Sequence, residues 1–435
     1  MKTKMSRLEK YWVLYDVGNS AFTLLVSTII PIYYKNMAAA RGVSASDSTA
    51  YLSYAISLST LMVAILGPIL GTVADNRNRK KPLFTFFMMI GVVGCAGLAI
   101  PRSWVLFLVV FVIAKVGFSS SLIFYDSMLV DVTIDERMDE VSSQGYAWGY
   151  IGSCVPFVIS LGLVLGADVI GISGTTAMML AFFINAAWWG LVTLPLLKNY
   201  EQKYYAASEA GFKESFQRLG HVFLEIKENK RVLWFLIAFF FYIDGVYTII
   251  EMATSYGKDV GISDTNLLLA LLLTQVVAFP CAILFGKLTR RFEAGKLISV
   301  CIAAYFLIAV YALWLDTAWK FWMLATMVGV FQGAIQALSR SYFAKIIPKE
   351  KSSEYFGIFD IFGKGASFIG TMLMGISTQL FETSRAGVLV IAGMFLVGFI
   401  CFRVQRSDSF SGTFPQTFRS ASRSTGKNNS GRKIP

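Results

Sequence analysis

The sequence predicts an all-α integral membrane protein: twelve transmembrane helices in two pseudo-symmetric six-helix bundles. Three observations predict it. The chain of 435 residues is 55% hydrophobic and only 15% charged, where a soluble domain carries about 25% charged residues. Its apolar residues gather into twelve long stretches, each close to the ~20 residues that a spanning helix requires. One long polar connection divides these stretches six and six.

The stretches run, approximately, over 11–34, 50–74, 82–100, 104–130, 143–166, 174–197, 232–255, 266–287, 297–315, 319–343, 355–380 and 386–402. They define an N-terminal bundle over 1–197, a cytoplasmic linker over 198–231, a C-terminal bundle over 232–403 and a disordered basic tail over 404–435. In the linker, Phe212, Phe216, Leu219, Val222 and Phe223 recur at helical spacing, so an amphipathic helix on the membrane surface is expected there. The opening MKTKMSRLEK runs directly into a spanning stretch, so no cleavable signal peptide is expected.

The net charge of +12 does not imply nucleic acid, because its placement is topological. Alternate loops on one side hold 31 of the 39 Lys and Arg, and those on the other side hold six. That bias places the basic loops and both termini in the cytoplasm. The five cysteines, Cys95, Cys154, Cys281, Cys301 and Cys401, fall within or at the edge of apolar runs without a C-x-x-C spacing, as apolar packing residues do. The single histidine, His221, lies in the linker. Neither a metal site nor a cofactor is expected, and no Walker G-x-x-x-x-G-K-[ST] is present, so ATP is not the driver.

The two halves echo each other. The first stretch carries D-x-x-x-S at Asp16–Ser20 and the seventh D-x-x-x-T at Asp244–Thr248. The second ends GTVAD and the eighth GKLTR at the equivalent place. Internal repeats of this kind characterise secondary transporters, which bind solute near the membrane midplane at the repeat interface.

Charges inside the stretches mark that interface. They are Asp16, Lys115, Asp126, Asp244, Glu251, Asp360 and Lys364, with Arg340 toward the cytoplasmic end of the tenth stretch. A charge at the bilayer centre costs at least ~2.5–3.5 kcal/mol, so these residues must face protein or water. Asp244 and Glu251, seven apart, lie on one helix face. Asp360 and Lys364, four apart, are spaced to pair with each other on one helix. Asp16, Asp126 and Arg340 fit ion pairs at a gate. Lys115 and Asp244 sit near mid-depth, with Lys115 the candidate cation for Asp244 and for an anionic group on the solute. Asn19, Tyr242, Tyr247, Gln332 and Gln336 complete the candidate solute-binding set. Asp16, Asp244 and Glu251 are the candidate proton-coupling carboxylates.

GTVADNRNRKK (71–81) resembles the signature between the second and third helices of the major facilitator superfamily. In that signature the acid and the basic residues form a cytoplasmic latch, here Asp75 with Arg77 and Arg79. Asn78 replaces the usual glycine and can adopt left-handed backbone angles. In the second copy Arg290 occupies the place of the acid, which argues against a matching latch. YDVGNSAFTLLVSTIIPIYY (15–34), FLIAFFFYIDGVYTIIEMATSYG (235–257), VSSQGYAWGYIGS (141–153) and QGAIQALSRSYFAKIIPKEKSSEYFGIFD (332–360) resemble the vacuolar amino-acid effluxer (autophagy-related permease) branch, in its bacterial form. The resemblance covers nearly all of 11–400. It implies the twelve helices of the major facilitator fold, alternating access and export of an amino acid or similar small solute; proton coupling, a monomer and, if the source is bacterial, the plasma membrane are expected alongside. Export of a drug or glycolipid is the alternative within transport; a non-transporting receptor is the alternative of another class. A membrane-embedded enzyme would need a nucleophile, base or metal cluster, and none is recognisable.

Single cysteines at Arg41 and Lys258 are expected to react with an impermeant thiol reagent applied from outside, while one at Lys351 stays protected. The reverse pattern would invert the topology.

Overall fold

A computed structural model describes residues 4–206, 222, 224–259 and 261–411. Helices dominate. In chain order they are α1 (Arg7–Ala39), α2 (Ala45–Ala74), α3 (Lys80–Gly97), α4 (Trp104–Val132), α5 (Met138–Leu165) and α6 (Gly174–Asn199), then α7 (Lys230–Asp259), α8 (Asp264–Leu288), α9 (Ala294–Ala312), α10 (Ala318–Ile346), α11 (Ser352–Phe381) and α12 (Ser384–Ser411). Eleven helices among the described residues are long and apolar enough to cross a membrane. The 30-residue α11 stands beside them, packed between α2, α7 and α12. This is the twelve-helix arrangement expected.

Local chemistry sets the helix ends. Ser6 and Glu9 form a reciprocal capping box at the start of α1, satisfying two amides that have no partner within the helix. Glu9 also receives Arg137 at 2.8 Å and Thr133 at 2.7 Å, which pins this terminus to the α4–α5 turn. α1 breaks once, at Thr28 (φ −128°, ψ −81°), whose hydroxyl bonds back to the Leu24 carbonyl. Asn78 takes φ 58° in the α2–α3 turn, as its short polar side chain permits.

Within the N-terminal bundle α1 packs on α5 and α6, and α4 on α2 and α3; within the C-terminal bundle α7 packs on α11 and α12, and α10 on α8 and α9. The bundles meet along two pseudo-equivalent seams, α2 on α11 and α8 on α5, with α10 on α5 between them. Both seams need glycine. A Cβ on Gly71 would lie 2.4 Å from the Ser353 carbonyl, and one on Gly286 2.6 Å from Ser143 Cβ. Large apolar side chains are exposed on the bundle exterior, among them Phe86, Val93, Leu191, Leu307, Leu389 and Ile400. An apolar belt of this kind is stable against lipid and not against water.

The polar segments are described in part. The first linker residues, 200–206, are strapped across the N-terminal bundle: Asp131 accepts the Tyr200 hydroxyl at 2.6 Å and the Lys203 and Tyr204 amides at 3.0 Å each. Of the amphipathic set, Phe212, Phe216, Leu219 and Phe223 lie outside the described residues, and Val222 is buried. The tail does not begin at 404, because α12 continues through Ser411; residues 412–435 lie outside the described part.

Candidate functional site

The site is built on Arg340. It projects from α10 into the opposite bundle, and its side chain is almost fully buried. One guanidinium nitrogen donates to Asp126 Oδ1 of α4 at 2.9 Å and another to Asp16 Oδ2 of α1 at 3.2 Å. Nε donates to the Ser142 hydroxyl of α5 at 2.9 Å, and Nη2 also to the Ser142 carbonyl at 3.1 Å. The Trp12 and Tyr146 rings cover the group, 4.6 and 4.4 Å from their centroids. Charge, hydrogen-bonding capacity and hydrophobic cover are thus supplied together, which a buried arginine needs. A Cβ on Gly145 would stand 2.4 Å from Asp16 Oδ2 and 3.0 Å from Arg340 Nη2, so only glycine leaves room for this pair. Asn19 donates to the Tyr15 carbonyl of its own helix at 3.0 Å and to Asp16 Oδ1 at 3.4 Å. It orients Asp16.

Four further contacts tie the bundles at the end that carries the basic loops. Asp75 accepts the Ser353 and Glu354 amides, both at 2.9 Å, so its carboxylate caps the N-terminus of α11. Lys80, fully buried, joins Asp131 at 3.0 Å to Ser352 at 2.9 Å. Asp139 of α5 receives Ser341 at 2.7 Å and Lys345 at 2.5 Å from α10. Arg290 donates twice to Glu140, at 2.8 and 2.7 Å. The latch therefore differs from the expectation. Arg77 and Arg79 are exposed, Arg77 lying over the Tyr205 ring, and Lys80 is the cation that enters the seam. The second copy does carry a latch, with the charges exchanged.

Beyond Arg340 the inter-bundle cleft is lined by polar groups from both halves. Gln336 of α10 donates to the Tyr150 hydroxyl of α5 at 3.3 Å, and Gln332 lies one turn along the same face. Tyr146 and Tyr150 lie together on α5, ring centroids 6.3 Å apart. Tyr247 of α7 stands within electrostatic reach of Tyr150, Asp126, Glu251 and Asp360. Lys115 of α4 acts on Glu251 of α7 from the opposite bundle.

Asp244, expected to meet Lys115, faces a different seam. Asp244 is fully buried on the α7–α11 seam, where Oδ1 accepts the Gly370 amide at 3.1 Å and the Thr248 hydroxyl at 3.3 Å. Tyr242 is likewise buried inside its own bundle, bonded to Ser339 at 2.7 Å and edge-on to Phe402, so it does not line the cleft. Asp360 is partly exposed beside Asp126 and Tyr247; the Lys364 side chain lies outside the described part, and with it the proposed pair. Sequence reasoning missed Ser142, Asp139, Tyr146 and Tyr150. The readable signal was the G-Y-x-x-G-Y spacing at 145–150, which turns two glycines toward α1 and two tyrosines toward α10.

Two bundles of six helices, joined by charged latches around a polar cleft, define the class: a transporter of the major facilitator type. The family model for vacuole effluxer Atg22-like proteins matches residues 44–409. The chain is 46% identical over 406 residues to YxiO of Bacillus subtilis (strain 168), described as an uncharacterised MFS-type transporter, covering 92% of this chain and 95% of that protein. It is 24% identical to autophagy-related protein 22 of Eremothecium gossypii, over 85% of this chain and 84% of the other. Among solved structures, the human organic anion transporter MFSD10 aligns with TM-score 0.71 at 14% identity, covering 91% and 99% of the two chains. The transporter FucP in its outward conformation aligns with TM-score 0.69 at 15% identity, covering 92% and 97%. The chain belongs to the Atg22-like family of major facilitator transporters.

Two predictions concern the closed end. Gly145→Ala should separate Asp16 from Arg340 and raise the open-end population at least fivefold, read from a spin-label pair at Arg79 and Glu350; unchanged distances would remove the pair from the gate. Burial pushes the Asp75 carboxyl up to about 6, against the downward pull of Lys80 and the two α11 amides. In the open end that carboxyl returns to water and its ordinary lower value, so the closed end binds the proton more tightly. A fall in pH from 7 to 5 should therefore favour closure. Asp75→Asn replaces one acceptor oxygen by a donor facing an amide, so it should favour opening and reduce this pH response to the part that Glu354, pushed up by burial in the same seam to about 7, contributes.

Proposed function

We propose that this protein exports a small zwitterionic solute of the amino-acid class, coupled to proton entry, across the plasma membrane of a bacterium. In this reading the basic loops and both termini face the cytoplasm, the conformation described is outward-facing, and the protein works as a monomer. The observation that carries the solute class is that Lys115 and Glu251, from opposite bundles, lie within electrostatic reach of each other, near Tyr150, Tyr247, Gln332 and Gln336. Two opposite charges that neutralise each other across a gap match a ligand carrying both charges. The solute carboxylate would replace Glu251 at Lys115, and its ammonium would replace Lys115 at Glu251 or Asp360. Each side then keeps a partner, as charges at this depth require.

Alternating access follows from the same arrangement. The Arg340, Asp75, Lys80, Asp139 and Arg290 contacts hold one end shut, and solute favours release of that end only by binding the open form better. Asp16, Asp244 and Glu251 are the carboxylates available for proton coupling. Asp16 is committed to Arg340 while the end is closed, which leaves Asp244 and Glu251 to take the proton in this state. The family's description as effluxers supports export as the direction.

Purified protein in liposomes, loaded with a mixture of labelled amino acids, should release a subset when an inward proton gradient is imposed. Lys115→Ala should weaken solute binding about tenfold to a hundredfold, the value of a charged hydrogen bond of ~1.5–3 kcal/mol. Movement of organic cations with no amino acid moved would overturn the reading.

A further inference from the structure

Asp244 is an intramembrane carboxylate that no gate contact explains. It is wholly buried, its Oδ1 is held by the Gly370 amide and the Thr248 hydroxyl, and among the described residues its Oδ2 has no hydrogen-bond partner. The titratable group acting on it is Glu251, two turns along α7. α11 faces it with Gly370 and also carries Asp360 and Lys364, nearer the basic end by about 15 and 9 Å at 1.5 Å per residue. α12 meets α7 here through Phe395, whose ring fills the place of a side chain on Gly245. An ionised carboxylate in such a place is costly without a paired cation, while the neutral acid costs far less.

Three features make this seam movable. Gly370 donates its main-chain amide to a neighbouring helix, and a Cβ there would lie 2.2 Å from Asp244 Oδ1 and 2.3 Å from Thr248 Oγ1. The middle of α11 reads GKGASFIG (363–370), and each glycine in a helix interior costs roughly 0.5–1 kcal/mol relative to alanine. Beside the seam lies an apolar cavity of about 40 Å³, lined by Thr248 and Met252 of α7, Met374 of α11 and Ile308 and Ile391 of α9 and α12. It leaves the packing around Met374 of α11 incomplete.

We infer that Asp244 is the proton-loading site of the transport cycle, with Thr248 and Gly370 as its positioning residues, and that its protonation state moves α11. The inference rests on the proton coupling proposed above and not on the solute class. With the proton on Oδ2 the acid is neutral, and α7 and α11 pack dry, as described here. When the proton leaves, the carboxylate can no longer stay buried without a cation. α11 pivots at its glycines, water or the Lys115 side reaches the carboxylate, and the shift is carried to Ser353 and Glu354 at the other end of the same helix, where Asp75 holds it. Proton loss and release of the closed end thereby become one movement.

The test needs no solute, so it stands whether or not amino acids are moved. Infrared difference spectra of the full chain in lipid, recorded against pH, should show a protonated-carboxyl band that Asp244→Asn removes and Glu251→Gln keeps. In a protein carrying Asp75→Asn and Glu354→Gln, which together remove the titration of the α2–α11 latch, nitroxides at Tyr54 on α2 and Leu380 on α11 should change their population ratio about tenfold across the same titration. Asp244→Asn should reduce that change below about twofold by fixing the acidic-side distribution. Thr248→Val should displace the midpoint and leave both end distributions intact, which a purely structural role would not do. A distance change that survives Asp244→Asn, or a titrating band with no distance change, overturns the inference.

Discussion

A guanidinium cannot be left alone between two membrane-spanning bundles, and the closed end of this transporter is organised around that constraint. Arg340 crosses from the C-terminal bundle to Asp16, Asp126 and Ser142, so bringing the halves together is also what gives each of these charges its partner. Breaking a buried pair by removing one member typically costs ~3–5 kcal/mol. Opening this end must therefore give Arg340, Asp16 and Asp126 water at the moment they part. Their position near the basic loops, and not at mid-depth, makes that possible. Asp244, deeper in the membrane and buried, has no such access and is held by an amide and a hydroxyl.

The glycines extend the same logic to the backbone. Gly71, Gly286 and Gly145 stand where a methyl group would intrude on a carbonyl, a serine or a carboxylate of the facing element. Latches of short polar groups work only if the helix backbones approach closely. Small residues are the means by which helices in lipid do so, since lipid supplies no hydrophobic drive between them. The polar cross-links and the small residues are a single device.

How much of this could be read in advance follows from which physical term leaves a mark in the sequence. The helices and the membrane were legible, because burying a spanning segment demands a long apolar run. That Asp16, Lys115, Asp126, Asp244, Glu251 and Arg340 would face the interior was legible too, because a charge in lipid is expensive. Their partners were not. Depth along a helix is given by counting residues, but azimuth across the bundle depends on packing angles that no single segment encodes. Lys115 and Asp244 share a depth yet look at different neighbours. Tyr242 and Asp244 misled for a related reason: α7 is buried on nearly all sides near its middle, so an inward side chain there can face its own bundle as readily as the cleft. The tyrosines of α5 carry no charge, so burial cost did not single them out in the sequence.

The exchange of charges between the two latches has a common physical basis. In the first, Asp75 reaches from the α2–α3 turn to the N-terminus of α11 and accepts its free amides. In the second, α5 supplies its own first-turn acids, Asp139 and Glu140, and Arg290 reaches from the α8–α9 turn to cover Glu140. In both copies a carboxylate lies at a helix N-terminus, where the helix dipole favours it. What differs is which element carries the acid, the reaching turn in the first latch and the capped helix itself in the second, so Arg290 is the complement of the missing acid and not its loss. The two latches are also unequal. Asp75 is buried at its helix end, where such a contact reaches ~2 kcal/mol, whereas Arg290 is 46% exposed and its pair belongs to the class worth about 0–1 kcal/mol. Of the two latches, the N-terminal bundle's grip on α11 is therefore the stronger.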